Sequence, residues 1–225
     1  MKWLAILDMD GTLLERRTVD VLCEKLGLTD RLMEIDRKFK SMDGYRVSER
    51  IAELFSGVKA SKLEAIFDTI ALVRGAKEFI DFLKPREFVT AIITDSYVFL
   101  ASRLARKLGI DTIKGNKLEL VEEVLTGKIV MPLGWKEENQ ENCQRKAVCK
   151  LHAMNDLMRE YQIQDNRSLA IGDSESDYCM IKKARIGVAL RPKDKFITEV
   201  SNVVIRTDFY DVITWLKDFL DSSGN

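Results

Sequence analysis

Three short apolar runs in this chain stop abruptly at polar residues: Leu4–Leu7 at Asp8, Phe88–Ile93 at Thr94, and Ser168–Ile171 at Gly172-Asp173. Runs of this length, bounded by turn residues and separated by helical segments, read as buried strands. The intervening segments carry apolar residues at helical spacing, as at Ala76, Phe79, Ile80 and Leu83, or at Tyr97, Leu100, Leu104 and Leu108. This alternation predicts an α/β fold with a parallel sheet and helices on both faces. Right-handed crossovers give such strands a shared carboxyl edge, where open α/β sheets bind their ligands. The three runs therefore deliver Asp8, Thr94 and Asp173 to one edge.

The first run ends in Asp8-Met9-Asp10-Gly11-Thr12. In a straight strand Asp8 and Asp10 would share a face, because side chains alternate with a period of two. A bend after Asp8, which Gly11 eases, would let one carboxylate face a substrate and turn the other aside. A polar turn leading into a helix would account for this stretch taken alone. Downstream, Val19, Leu22, Cys23 and Leu26 have helical spacing before Gly27. Asp30 is placed to cap a second helix, a third carries Val47, Ile51, Leu54 and Phe55, and Ser61-Lys62-Leu63-Glu64 reads as a capping box for a fourth. Several amphipathic helices in succession, with no strand between them, form a helical insert rather than a βαβ crossover.

Beyond Gly109, Asp111–Ile113 is expected as a short strand, and Lys117–Glu122 with Lys128–Met131 as a hairpin. Residues 144–161 are expected as one long helix with Ala147, Leu151, Met154, Met158 and Tyr161 inward. Lysine plus arginine and aspartate plus glutamate each number 36, so net charge supplies no basic face, which argues against nucleic acid as a main partner though not against a local basic patch. The cysteines, Cys23, Cys143, Cys149 and Cys179, lack CxxC spacing, and a single histidine argues against structural zinc. A reducing, cytoplasmic setting is expected. The run before Asp8 is too short for a signal peptide, and no run reaches membrane-spanning length.

Asp8, Asp10, Thr94, a lysine near the start of the long helix, Asp173 and Asp177 together make a set suited to phosphoryl transfer. A carboxylate can attack phosphorus and split one hard hydrolysis into two easier steps. A divalent cation would bring two anions together, and magnesium suits carboxylate and water ligands. Side chains of Asp8 and Asp173 and the backbone carbonyl of Asp10 would hold it. Asp10's carboxyl would protonate the leaving alcohol and then take a proton from water. Thr94 would donate to a phosphate oxygen, and the lysine would offset charge.

Residues 6–14, Ile6-Leu7-Asp8-Met9-Asp10-Gly11-Thr12-Leu13-Leu14, resemble the first motif of the haloacid dehalogenase superfamily. Ile92-Ile93-Thr94-Asp95 resembles its second motif and Gly172-Asp173-Ser174-Glu175-Ser176-Asp177 its fourth, in the right order along essentially the whole chain. The insert is similar to the cap of the phosphoserine phosphatase-like branch, as is Gly115-Asn116-Lys117-Leu118 before a hairpin. The resemblance implies a Rossmann-like core of residues 1–14 and 75–225 and a helical cap domain of residues 15–74. It also implies a magnesium-dependent phosphomonoester hydrolase acting on a small phosphorylated metabolite. Asp8 would be the nucleophile that forms an aspartyl-phosphate, and Asp10 the acid/base. Asp177 would orient the lysine.

Three departures bear on the reading. Arg17 stands where the branch carries a glutamate for the substrate's amino group, which favours an anionic group instead. A solvated charged turn is the bland alternative. Asp95-Ser96-Tyr97 replaces small residues after Thr94 and narrows the room beside the phosphate, with Asp95 either lining the substrate or capping the next helix. The third-motif lysine is Lys146 by local sequence or Lys150 by distance to Asp173, and Lys146, nearer the amino end of the helix, is the one expected. Tyr45 and Arg50 are helix surface or reach substrate when the cap closes, and His152 is surface or core. Phosphotransfer to an alcohol, as in a phosphotransferase or mutase, and non-catalytic phosphate binding are the other functions considered. A monomer or homodimer is expected.

Overall fold

The computed structural model describes residues 2–38, 43–132 and 147–223. Among the described residues seven strands form one sheet in the order β4-β3-β2-β1-β5-β6-β7. They are β1 (Trp3–Leu7), β2 (Phe88–Tyr97), β3 (Thr112–Val121), β4 (Val124–Val130), β5 (Ser168–Gly172), β6 (Ile186–Leu190) and β7 (Val203–Ile205). All neighbouring pairs are parallel except β3–β4. β1 lies between β2 and β5, so the three strands leading to Asp8, Thr94 and Asp173 are adjacent. The chain winds outward from β1 through β2, β3 and β4, then returns to β1's other side at β5. That reversal opens a crevice at the carboxyl ends of the strands.

Strand alternation covers both faces. Leu4 and Ile6 pack with Met154, Leu157 and Met180 on one side, and Ala5 and Leu7 with Phe79, Leu100 and Phe209 on the other. The first side is built by α7 (Lys150–Glu160), α8 (Tyr178–Lys183) and α9 (Lys195–Val200). The second is built by α5 (Ala76–Leu83), α6 (Val98–Leu108) and α10 (Phe209–Ser223). No helix among the described residues is long and apolar enough to cross a membrane.

Between β1 and α5 lie α1 (Thr18–Leu26), α2 (Thr29–Lys38), α3 (Gly44–Glu53) and α4 (Ala60–Phe67), with no strand between them among the described residues. The insert leaves and rejoins the sheet at one place. Glu15 N–H donates to Ala71 O at 3.0 Å, and Val73 N–H to Leu13 O at 2.9 Å. Its far end is braced by the β3–β4 hairpin, where Gly57 and Ala60 N–H donate to Leu125 O (2.8 Å) and Glu123 O (2.9 Å).

Several boundaries differ from the sequence expectation. The short strand expected at Asp111–Ile113 and the first arm of the hairpin are one continuous β3. α2 begins at Thr29, so Asp30 lies in its first turn rather than at its cap. α4 begins at Ala60 with Lys59 as its uncapped N-terminal residue, because the hairpin backbone fixes its start; Ser61 is inside the helix and no capping box forms there. The capping box that does form joins Ser174 and Asp177. In the long helix, residues 144–146 lie outside the described residues, and Ala147–Cys149 are not helical; α7 starts at Lys150.

Gly172 ends β5 against the side chain of Asp177, and a Cβ there would fall 2.3 Å from Asp177 Cγ. Gly172→Ala is therefore expected to push Asp177 aside and lower the unfolding free energy by about 1–3 kcal/mol, the cost of overpacking a filled interior. Urea denaturation monitored by circular dichroism measures it.

Candidate active site

The strand ends and the helical insert enclose a cleft of roughly 420 Å³ lined by Asp8, Asp10, Thr94, Lys150 and Lys193 on the sheet side. Asp8 continues the face of Leu4 and Ile6, the face on which α7 packs. There Lys150 Nζ donates to Asp8 Oδ1 and to Asp177 Oδ1, each at 2.5 Å, and all three groups are buried. The other Asp177 oxygen accepts the backbone N–H groups of Asp173 (3.0 Å) and Ser174 (3.1 Å). Burial would pull the Lys150 ammonium down, but the Asp177, Asp8 and Asp95 carboxylates reverse this and hold it above its usual range. Burial pushes Asp8 well above the usual carboxylate range, with Lys150 opposing the rise.

The chain turns after Asp8. Gly11 adopts φ 94°, and Met9 O accepts N–H bonds from Leu13 (3.0 Å) and Leu14 (2.9 Å). This turn sends Asp10 toward the insert, where the buried Thr18 hydroxyl donates to its Oδ1. Burial raises the Asp10 carboxyl from 3.8 to about 6, against the lowering effect of Thr18. Thr94, at the end of the apolar part of β2, is 1% exposed, and its Oγ1 accepts the Ser96 N–H at 3.0 Å. Its hydroxyl proton remains for a ligand oxygen.

Lys146 lies outside the described residues, and Lys150 is the lysine seated between Asp8 and Asp177. Asp95 lines the cleft, yet its Oδ1 accepts the Val148 N–H at 2.9 Å and its carbonyl accepts Asn116 Nδ2 at 2.7 Å. It thus ties the residues before α7 to the end of β2. Arg17 lines the outer cleft but is not a free cation: its Nη1 donates to Asp20 (3.2 Å) and Asp36 (3.4 Å). Arg50 pairs with Glu53 on the exposed side of α3, and neither it nor Tyr45 lines the cleft. His152 pairs with Asp156 at the surface, 3.3 Å away.

Asp36 and Ser48 on the insert, and Lys193 after β6, line the cleft without having been singled out in the sequence. Asp36 follows Ile35 at helical spacing and reads as solvated surface. Lys193 sits in Arg191-Pro192-Lys193-Asp194, where a proline after a strand signals only a turn.

Asp8, Asp173 and Asp177 bring carboxylate oxygens within 4.8 Å of one another. Asp177 has both oxygens committed to Lys150 and backbone donors, which leaves Asp8 and Asp173 as side-chain ligands for a cation. Asp173 Oδ1 is buried without a hydrogen-bond partner, a costly state that a divalent cation would relieve. Among the described residues, five carboxylates (Asp8, Asp10, Asp95, Asp173 and Asp177) face two ammonium groups (Lys150 and Lys193). An all-oxygen donor set with this excess of negative charge fits magnesium.

The raised Asp10 value carries a stability consequence. The folded chain holds this proton more tightly than the unfolded chain, so stability falls as pH rises from about 4 through 6. The displacement from 3.8 to about 6 is worth at most about 3 kcal/mol, and partial water access reduces it to about 1–2 kcal/mol. Asp10→Asn, which keeps an acceptor for Thr18, is expected to be more stable by that amount at pH 7.5 and equal at pH 4. Urea melts in chelator-containing buffer compare the two.

The model of the haloacid dehalogenase-like hydrolases matches residues 5–182. The chain is 29% identical over 221 residues to a phosphoserine phosphatase of Streptococcus thermophilus, covering 97% of both chains. It is 29% identical over 196 residues to one of Archaeoglobus fulgidus, covering 86% of this chain and 54% of that protein. A phosphoserine phosphatase solved as a phospho-aspartyl intermediate analogue superposes with a TM-score of 0.79 at 22% identity, over 95% of this chain and 98% of that one. The parallel sheet, the helical insert after β1 and the family match agree: the chain belongs to the haloacid dehalogenase-like hydrolases.

Proposed function

We propose that this protein is a magnesium-dependent phosphomonoester hydrolase that works through an aspartyl-phosphate on Asp8. The observation that carries the reading is the buried Lys150 ammonium shared by Asp8 and Asp177 beside an unpartnered Asp173 oxygen. Lys150, rather than Lys146, takes the role of the third-motif lysine. It fixes one Asp8 oxygen, so the other is presented for attack on phosphorus. Thr94 donates to a phosphate oxygen. Asp10, with its proton retained to about pH 6, protonates the leaving alcohol and later deprotonates water attacking the acyl phosphate. Asp8, Asp173 and the Asp10 carbonyl would hold magnesium, which would supply the charge that lets two anions meet. Residues 15–74 act as a cap, held at its stem by 13–15 and 71–73 and at its far end by the hairpin, that shields the cleft from water.

Asp8→Asn is expected to abolish magnesium-dependent phosphate release. Asp10→Ala is expected to slow an alkyl phosphate by about 10²–10⁴-fold, the usual share of general acid catalysis, and an aryl phosphate far less, because phenolate leaves without a proton. Steady-state phosphate release from both esters tests this. Undiminished turnover by Asp8→Asn would refute the nucleophile.

The substrate reading follows from the outer cleft. Phosphoserine, named for the relatives, presents an ammonium and a carboxylate beside its phosphate. The adjacent Arg17 guanidinium and Asp36 carboxylate supply complementary charges. Asp36→Asn is expected to raise KM for phosphoserine about tenfold or more, as for loss of a charged hydrogen bond, while leaving KM for phosphoglycolate unchanged or lower. Equal effects on both would remove Asp36 from ammonium recognition.

A further inference from the structure

Lys193 grips Asp173 at two points. Its backbone N–H donates to the Asp173 carbonyl at 2.7 Å, and its side-chain Nζ stands 2.7 Å from Asp173 Oδ2. Both Asp173 carboxylate oxygens are buried without a hydrogen bond, and the ion-pair contact of the Lys193 ammonium falls on Oδ2. A carboxylate held by one oxygen presents the other in a fixed direction.

The loop that carries Lys193 is itself tied down. Arg191 N–H donates to Ile205 O at 2.6 Å, and its guanidinium pairs with Glu15 at 2.6 Å. Asp194 accepts the Glu175 N–H at 2.7 Å through Oδ2 and caps α9 through Oδ1, which accepts the Ile197 N–H at 3.2 Å. Gly11 leaves the space that the clasp occupies. A Cβ there would fall 2.0 Å from Asp173 Oδ2 and 2.6 Å from Lys193 Nζ. The Lys193 side chain is 57% exposed at the cleft wall, whereas that of Asp173 is 1% exposed. A solvated ammonium has no need of this partner for its own sake; the buried carboxylate is the group that gains.

We propose that Lys193 is a positioning residue for the metal site: it holds Asp173 Oδ2 so that Oδ1 points to the divalent cation. This rests on the magnesium reading above. Partners that orient a metal-ligating carboxylate typically contribute 10–100-fold to metal affinity. The alternative, that the ammonium competes with the cation for Asp173, predicts the opposite sign.

The test is Mn²⁺ binding, measured by electron paramagnetic resonance of free Mn²⁺ and by calorimetry, with the unaltered chain, Lys193→Met and Lys193→Arg. Circular dichroism confirms that each variant is folded. Lys193→Met is expected to weaken Mn²⁺ binding about tenfold or more, and Lys193→Arg to restore it to within about threefold. Unchanged or tighter binding by Lys193→Met would overturn the proposal while leaving the metal site in place. Equal losses in both variants would also overturn it, by assigning the effect to loop shape rather than to the cation. Absence of Mn²⁺ binding to the unaltered chain would overturn the metal reading and this proposal together.

Discussion

The placement of one ammonium group determines how the site is built. Lys150 Nζ is buried between Asp8 and Asp177, and none of these three charges could be held in the interior alone. The interaction joins three parts of the fold: the end of β1, the first residue of α7 and the turn after β5. Asp177 extends the connection through the N–H groups of Asp173 and Ser174, so the position of Asp173 depends on the same ammonium. The cluster remains short of positive charge. Five carboxylates around two lysines suit a cation and, through it, a phosphate; they do not suit a phosphate directly.

The inner site was legible because it is made of strand ends. An apolar run that stops at Asp8, Thr94 or Asp173 reports both the strand and the direction in which its last residue is delivered, and the parallel order of β2, β1 and β5 follows from the crossovers between them. The lysine was harder to place, for a physical reason. Ala147 continues the apolar spacing of α7, so the pattern extends the helix backwards and favours Lys146. Asp95, 53 residues earlier than Val148, takes the Val148 N–H and keeps residues 147–149 out of the helix. Local periodicity carries no record of that tether. The same limit explains α4, whose start is set by hydrogen bonds to the hairpin rather than by Ser61.

Asp36 and Lys193 were illegible for a related reason. Each is a charged residue in a segment whose pattern is that of solvated surface, and each enters the cleft only because separate elements meet there. Arg17 was visible, but its electrostatic meaning was not. Read alone it is a cation that repels an ammonium group. With Asp20 and Asp36 within 3.2 and 3.4 Å, it belongs to a group with more negative than positive charge. The sign of a site is a property of its tertiary neighbours and cannot be assigned from one residue.

These differences separate two halves of the cleft by how they are held. The inner half consists of groups fixed by backbone: a strand end, a tight turn at Gly11, and a carboxylate anchored on two N–H groups. A substitution there disturbs packing as well as charge, as the contact between Gly172 and Asp177 illustrates. The charges of the outer half are Arg17, just before α1, and Asp36 on α2, partly exposed and paired with one another. A charge can move from one helix to the next there at little cost to stability, because exposed ion pairs contribute about 0–1 kcal/mol. On the proposed function, the charges of the insert can therefore vary while the groups beneath them stay in place.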